Sequence, residues 1–452
     1  MNKKKRPDPG DGGQPSWEGP PIAVFWDQSL VWGLICMETL KGIGVPYRLL
    51  GAADIVSGRL EGYKVLLVPG GWASHKVRAL EEEGRNRIKE FIEGGGSYLG
   101  FCGGAGLALS SPPSLGIVPL ERLSLSERLP NASGEIWIKG AADHPAWKDL
   151  PGFIPVSIWW PSQFRWEPLP GSIRLAEYQT TGADFWVADS LVSDLEDHHI
   201  SWEEWEKIYG INLNPKRLFG HPAIIEVPSG TGRLVLSYPH LETPDDRWGN
   251  RLFLNLLVYL DQGAAPLLPG NRSRTGPGRE NPLDAPPGPK ALDHLMAASD
   301  HAEDLIRFGE RQLLWRWRNS WLLHWRRGIR GLEYGTLAVS LRWLVAEAQE
   351  FAIHQHRGST DPWLEPAKQL EKNVQTFCRL AQRLLLEEKL ATQAGNLKKL
   401  GKVNDTVDLL RERIFGNKMN HGGLCGELFD ELDRLLFHIL GQRTSAGVRA
   451  EG

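Results

Sequence analysis

The chain has 452 residues, 41% of them hydrophobic and 24% charged, with 52 Lys and Arg against 55 Asp and Glu. That composition supports two or three domains with real cores and excludes wholesale disorder. The formal charge of −3 excludes a chain that coats nucleic acid along its length. Four scattered cysteines, Cys36, Cys102, Cys378 and Cys425, do not make a disulfide framework or a zinc knuckle and point to a reduced, cytoplasmic setting. No apolar run reaches the roughly 18 to 20 residues a membrane-spanning helix needs, so no membrane span is expected.

Residues 1–20, basic and then rich in Gly, Pro and Asp, are expected to be a disordered tail. From Pro21 the pattern is β-α-β. Ile22 to Trp26 is a compact apolar strand, and Leu30 to Leu40 continues at helical spacing. Pro46 to Leu50 and Lys64 to Val68 read as strands, the latter stopped by Pro69-Gly70-Gly71. Val77, Leu80, Ile88, Phe91 and Ile92 share one helical face before Gly94-Gly95-Gly96. Tyr98 to Phe101 is a strand that runs straight into Cys102-Gly103-Gly104-Ala105-Gly106. Strands alternating with helices of this length predict a mostly parallel sheet covered on both faces, with ligands outside the carboxyl ends of its strands.

Residues 111–221 are a Trp-rich insertion, expected to be β-rich with long loops; its Trp residues line either a pocket rim or an irregular core. Ala223 to Val227, a Gly turn and Arg233 to Tyr238 form a hairpin signal. Pro239-His240-Leu241-Glu242 follows, then a closing helix from Asp246 to Leu260. Residues 264–290 have linker composition, 291–442 read as a helical bundle, and 443–452 as a frayed tail. Within the bundle, Arg307 to Arg330 carries seven Arg against Glu310 alone, with Trp317, Trp321 and Trp325 at helical spacing. That stretch reads as a core helix whose Arg side chains reach outward to paired acids, in preference to a nucleic-acid or lipid surface.

Three segments at strand ends offer what a thiol-based acyl transfer needs. A nucleophile on a tight strand-to-helix turn needs small neighbours, and Cys102 has them. A carboxylate two residues from a histidine in extended chain can hold the imidazole in the tautomer that accepts a thiol proton, as Glu242 could for His240. Consecutive glycines after a buried strand can aim N–H groups at an oxyanion, as at Gly70-Gly71-Trp72. Alone, each segment has an ordinary structural explanation.

Together and in this order, the Val68-Pro69-Gly70-Gly71 loop, the Gly100 to Ala105 elbow and the strand leading to His240 and Glu242 resemble the class I glutamine amidotransferase-like superfamily. More closely, residues 21–263 resemble the domain at the N-terminus of eukaryotic biotin–protein ligases and in stand-alone bacterial proteins; His221-Pro222-Ala223 is a further similarity. The resemblance implies a flavodoxin-like α/β/α sandwich with Cys102 as nucleophile, His240 as base and Glu242 as its orienting group. It also implies an oxyanion hole from the N–H groups of Gly71 or Trp72 and of Gly103. Two positions depart from the glutaminase pattern: Gly106 stands where Gln or Glu is usual, and Leu241 where Pro is usual.

No phosphate-cradling loop, synthetase partner or biotin-transfer module is present, so no cofactor is expected and ligase activity is not inherited. No metal is expected either, since neighbouring His198 and His199 in extended chain point to opposite faces. The expected substrate is a small-molecule or peptide amide. A catalytically silent scaffold, whose Trp/Arg-rich helices recruit a protein partner, is the alternative.

Overall fold

The computed structural model describes residues 17–198, 200–264, 283, 285–353, 361–395, 403–416 and 421–449. Residues 1–16 of the expected tail at 1–20 and most of the expected linker at 264–290 lie outside them. The first half opens β1 (Ile22–Phe25), α1 (Val31–Gly42), β2 (Tyr47–Leu50), α2 (Ala52–Val56), β3 (Val65–Val68), α3 (Ala73–Glu93), β4 (Ser97–Phe101) and α4 (Gly103–Ala108). Alternation along β1 decides the layering. Ile22 and Val24 pack with α1, while Ala23 and Phe25 join Ile55 of α2 and Leu80, Ile88 and Ile92 of α3 on the opposite face. Helices therefore cover both sides of the sheet, as the sequence predicts.

The insertion follows with β5 (Glu121–Arg122), β6 (Ala132–Gly140), β7 (Phe153–Trp159), β8 (Phe164–Arg165), β9 (Ile173–Val187), β10 (Ser190–Leu191), α5 (Val192–Asp197) and α6 (Trp202–Tyr209). The hairpin β11 (Pro222–Ser229) and β12 (Gly232–Ser237) and the helix α7 (Arg247–Gly263) close this half, with the Asp246 side chain accepting the Gly249 N–H as α7's cap. Strand order is β2-β1-β3-β4-β12-β11-β9-β6-β7. From β2 to β12 every pair is parallel; from β12 outward every pair is antiparallel. The insertion is therefore an extension of the same sheet, which is parallel in its first half only. Its long strand β9 pairs with β11 on one side and β6 on the other.

The second half comprises α8 (Pro289–Arg311), β13 (Trp315–Trp317), β14 (Leu323–Trp325), α9 (Leu332–Ile353), α10 (Leu364–Gln393), α11 (Asp405–Phe415) and α12 (Gly423–Arg449). The expected bundle is present, with one correction inside it. Arg307 to Arg330 is not one helix: α8 stops at Arg311, Leu313 takes φ 57°, and Trp315 and Trp317 pair antiparallel with Trp325 and Leu323. The Asn319 side chain accepts the Trp321 and Leu322 N–H groups and so forms the turn. Trp-x-Trp alternation suits a strand, and the four-residue spacing of Trp317, Trp321 and Trp325 only coincides with a helical period. A second difference is at the end, where α12 runs on to Arg449 instead of fraying after Gln442.

The two halves share a continuous apolar core, in which Trp26 and Leu34 join Leu341 and Leu435. Polar contacts reinforce the seam. The Trp26 indole donates to the Asp433 carbonyl (2.9 Å), and the Gln28 N–H donates to Asp433 Oδ2 (2.9 Å). Arg318 donates to Ser133 Oγ and to Asp184 Oδ2, and Arg327 to the carbonyls of Ile208 and Tyr209. Arg318 thus pairs with an acid, though across the seam between the halves and not on a neighbouring helix, and Arg327 meets backbone carbonyls there. No helix among the described residues is long and apolar enough to cross a membrane.

Candidate active site

Cys102 stands at the carboxyl end of β4 with φ 47° and ψ −102°, a left-handed region that a non-glycine residue occupies only when its surroundings over-determine it. Those surroundings are glycines in direct backbone contact. A Cβ on Gly103 would run into the Gly71 carbonyl, and one on Gly104 into that of Val68. The Cys102 N–H donates to the Ser237 carbonyl (2.8 Å), and the Tyr98 hydroxyl donates to the Gly104 carbonyl (2.7 Å) from beneath. Cys102 is half-buried, whereas Cys36, Cys378 and Cys425 are buried.

β12 lies beside β4 in parallel register, Ser237 opposite Phe101, so the chain leaving β12 arrives next to the elbow. There His240 Nδ1 lies 2.7 Å from Glu242 Oε1, with both side chains wholly buried. The Ser157 carbonyl takes the His240 N–H (2.9 Å), Thr39 donates to the Glu242 carbonyl (2.6 Å), and the Trp32 indole stacks on the imidazole at 4.3 Å. With Nδ1 facing a carboxylate, Nε2 is the nitrogen left for chemistry. It has no hydrogen-bond partner among the described residues, and the Cys102 thiol acts on the ring. Burial alone would lower the His240 pKa; the Glu242 charge and the thiol contact reverse that and carry it up to about 10.

The expected oxyanion donors converge on the same elbow. Gly71 takes φ 107°, a Cβ on it would strike the Gln28 carbonyl, and Trp72 precedes the first turn of α3. No backbone carbonyl among the described residues accepts the N–H of Gly71 or Trp72. All six expected residues, Cys102, His240, Glu242, Gly71, Trp72 and Gly103, are thereby brought to one end of the parallel strands.

The sequence pattern does not reveal the aromatic wall. Trp160 of the insertion stacks on Trp325 of β14 at 4.6 Å and meets Trp32 edge-on at 6.4 Å. A cavity of about 20 Å³, room for one water-sized group, lies between Trp32, Gly71 and Trp72 on one side and Glu333, His421 and Phe429 on the other. In sequence, Trp159 and Trp160 stand out only as part of a Trp-rich segment; nothing local pairs Trp160 with a residue 165 positions on. Among the described residues no group of His, Cys, Asp or Glu is placed to hold a metal ion, and His199 lies outside them.

Residues 61–111, which hold the glycine loop, α3 and the elbow, match the family described as "Biotin-protein ligase, N terminal". Solved structures similar to the chain include a putative ThuA-like protein from Bacteroides uniformis, 14% identical over 55% of this chain and 95% of that one, TM-score 0.34. A putative GMP synthase component from Thermoplasma acidophilum is 14% identical over 54% and 96%, TM-score 0.33. A glutamine amidotransferase from Thermotoga maritima is 12% identical over 54% and 100%, TM-score 0.30. No curated protein matches the chain. The α/β half is a sheet covered by helices on both faces, and its chemistry is read from this chain's own side chains.

Proposed function

We propose that the protein is a cysteine-dependent hydrolase or acyl transferase acting on an amide. The observation that carries this reading is a buried imidazole with Glu242 at Nδ1, Nε2 left without a hydrogen bond, and the Cys102 thiol acting on the ring. The thiolate of Cys102 attacks the amide carbonyl carbon, and the carbonyl π electrons move to oxygen. N–H groups of Gly71 or Trp72 and of Gly103 receive that oxyanion. His240, protonated by the thiol, returns the proton to the departing nitrogen as the C–N bond breaks and a thioester remains. Water or an acceptor amine then attacks the thioester, with His240 taking its proton and Cys102 leaving as thiolate. Glu242 holds the ring and stabilises the imidazolium. Neither a biotin-transfer module nor a cofactor-binding motif is recognisable in the chain, and this reaction needs neither.

The test uses the full chain and a panel of primary and secondary amides, with released amine measured and the acyl-enzyme trapped by hydroxylamine. Turnover that disappears in Cys102→Ser and in His240→Asn is expected. If iodoacetamide modifies Cys102 no faster than it modifies thiols of the unfolded chain, the reading fails.

A further inference from the structure

We infer that Lys76 is the positioning residue of the oxyanion donors, holding the β1–α1 loop against Gly71 so that the donor N–H groups keep their place beside Cys102. This rests on the thiol reading above and deepens it. Lys76 lies one turn into α3, where its own N–H donates to the Trp72 carbonyl (3.1 Å). Its side chain is wholly buried. Nζ donates to Ser29 Oγ (2.6 Å) and to the Asp27 carbonyl (3.2 Å), and stands over the Phe25 ring at 5.2 Å. Asp27 and Ser29 flank Gln28, and it is the Gln28 carbonyl that Gly71 packs against. On its other side Gly71 meets Gly103, where a Cβ would run into the Gly71 carbonyl. Lys76 Cε completes the enclosure, 3.5 Å from the place a Gly71 Cβ would take. The glycine that carries a candidate oxyanion N–H is thus set between the elbow and a loop that one ammonium ties on both sides of the contact.

The loop needs such a tie. Gln28 and Leu30 take φ 59° and 53°, left-handed values that non-glycine residues hold only when their surroundings impose them. Asp433 fixes the loop from the helical half through the Gln28 N–H, and Lys76 fixes it from α3. Stability does not account for the lysine. Lysines are almost never wholly buried unless paired with an acid, and among the described residues this one bonds only to a hydroxyl and a carbonyl. Burial brings its ammonium down to about 7, against the charges of Asp433 and Asp27, so the place disfavours a cation. A methionine would fill the same space without that cost. What the lysine adds is a set of directed hydrogen bonds at the end of a stem packed beside Gly71.

Two reagents separate donor geometry from thiol reactivity without a known substrate. With p-nitrophenyl acetate the Cys102 thiolate attacks the carbonyl carbon, an oxyanion forms, and the C–O bond breaks to release p-nitrophenolate and leave an acetyl thioester. With iodoacetamide the same thiolate displaces iodide at a saturated carbon, and no oxyanion forms. The readout is the ratio of the two rates at Cys102 in the full chain, followed by mass spectrometry, with urea midpoints measured alongside. In the wild type this ratio should exceed that of glutathione. Lys76→Met should lower it by about ten- to hundredfold, the cost of a small misplacement, with the iodoacetamide rate close to wild type. Lys76→Arg, which keeps the charge and donors, should recover part of the loss. Ser29→Ala removes one acceptor of Nζ and little volume, and should lower the ratio even if Lys76→Met does not fold. A ratio unchanged in Lys76→Met and Ser29→Ala, or two rates that fall together with the urea midpoint, overturns the role of Lys76 alone. A wild-type ratio like that of glutathione overturns it as well, and slow iodoacetamide reaction in addition overturns the thiol reading.

Discussion

Replacing Glu242 by Gln removes one charge and almost no volume from a wholly buried position. In the native protein the Glu242 charge is the largest influence raising His240, against burial, and the imidazole stands at about 10. Without it, burial dominates and the imidazole falls to its ordinary value of about 6.5 or below. A drop of three to four units corresponds to about 5 kcal/mol of differential stabilisation, at the upper end of the about 3–5 kcal/mol typical of breaking one buried ion pair. The sign in stability follows from the raised folded value. The imidazolium's contribution is complete below about pH 6.5 and is lost as pH rises towards 10, so Glu242→Gln should be most destabilising at acidic and neutral pH. An imidazolium beside a sulfur favours the reactive thiolate. Iodoacetamide modification of Cys102 at neutral pH should therefore slow in Glu242→Gln. Wild-type and variant rate–pH profiles that superimpose, with urea midpoints that also superimpose, would refute the coupling of Glu242 to the thiol through His240.

Three further outcomes are expected. Gly103→Ala drives a methyl into the Gly71 carbonyl, so thermal unfolding should show a loss of about 1–3 kcal/mol and Cys102 alkylation should slow as the elbow shifts. Trp325→Ala removes the stack on Trp160, so iodoacetamide should reach Cys102 faster, and the stability loss should fall below the about 3–5 kcal/mol of a fully buried Trp, because Trp325 is half-buried. Asp433, pushed up to about 8 by burial, stays protonated on folding where the unfolded carboxyl ionises, so its contribution to stability declines from about pH 4 to pH 8. Lys76, pushed down to about 7, acts with the opposite sign above pH 7. In Asp433→Asn the decline below pH 7 should flatten in urea titrations.

The parts of the fold that local pattern predicts are those whose signals are local. β1, α1, β3 and the apolar face of α3 follow from runs and periods within a dozen residues, and the hairpin β11–β12 from its Gly turn. The elbow is visible because Cys102 needs small neighbours for a steric reason that glycines on both sides reveal. The antiparallel extension is not, since β9 pairs with β6 and β11 through two register shifts each and with no hairpin turn on either side. Nor is the strand pair β13–β14, where a Trp every fourth residue satisfies a helix and a short hairpin equally well.

The seam between the halves bears directly on the chemistry. Asp433 on α12 holds the β1–α1 loop through Trp26 and Gln28, and the Gln28 carbonyl lies against Gly71, the glycine that carries a candidate oxyanion N–H. The same loop leads into α1, whose Trp32 stacks on His240. One element of the helical half therefore touches both the donor loop and the base through a segment of seven residues, Trp26 to Trp32. Trp325 reaches the base by a second route, through Trp160 and Trp32. A helical half that only tethered the domain would have no reason to bury an acid and an indole at these points. Its placement makes the geometry of Gly71 and His240 a property of the whole chain, and an excised 21–263 fragment would lack two of the contacts that position them.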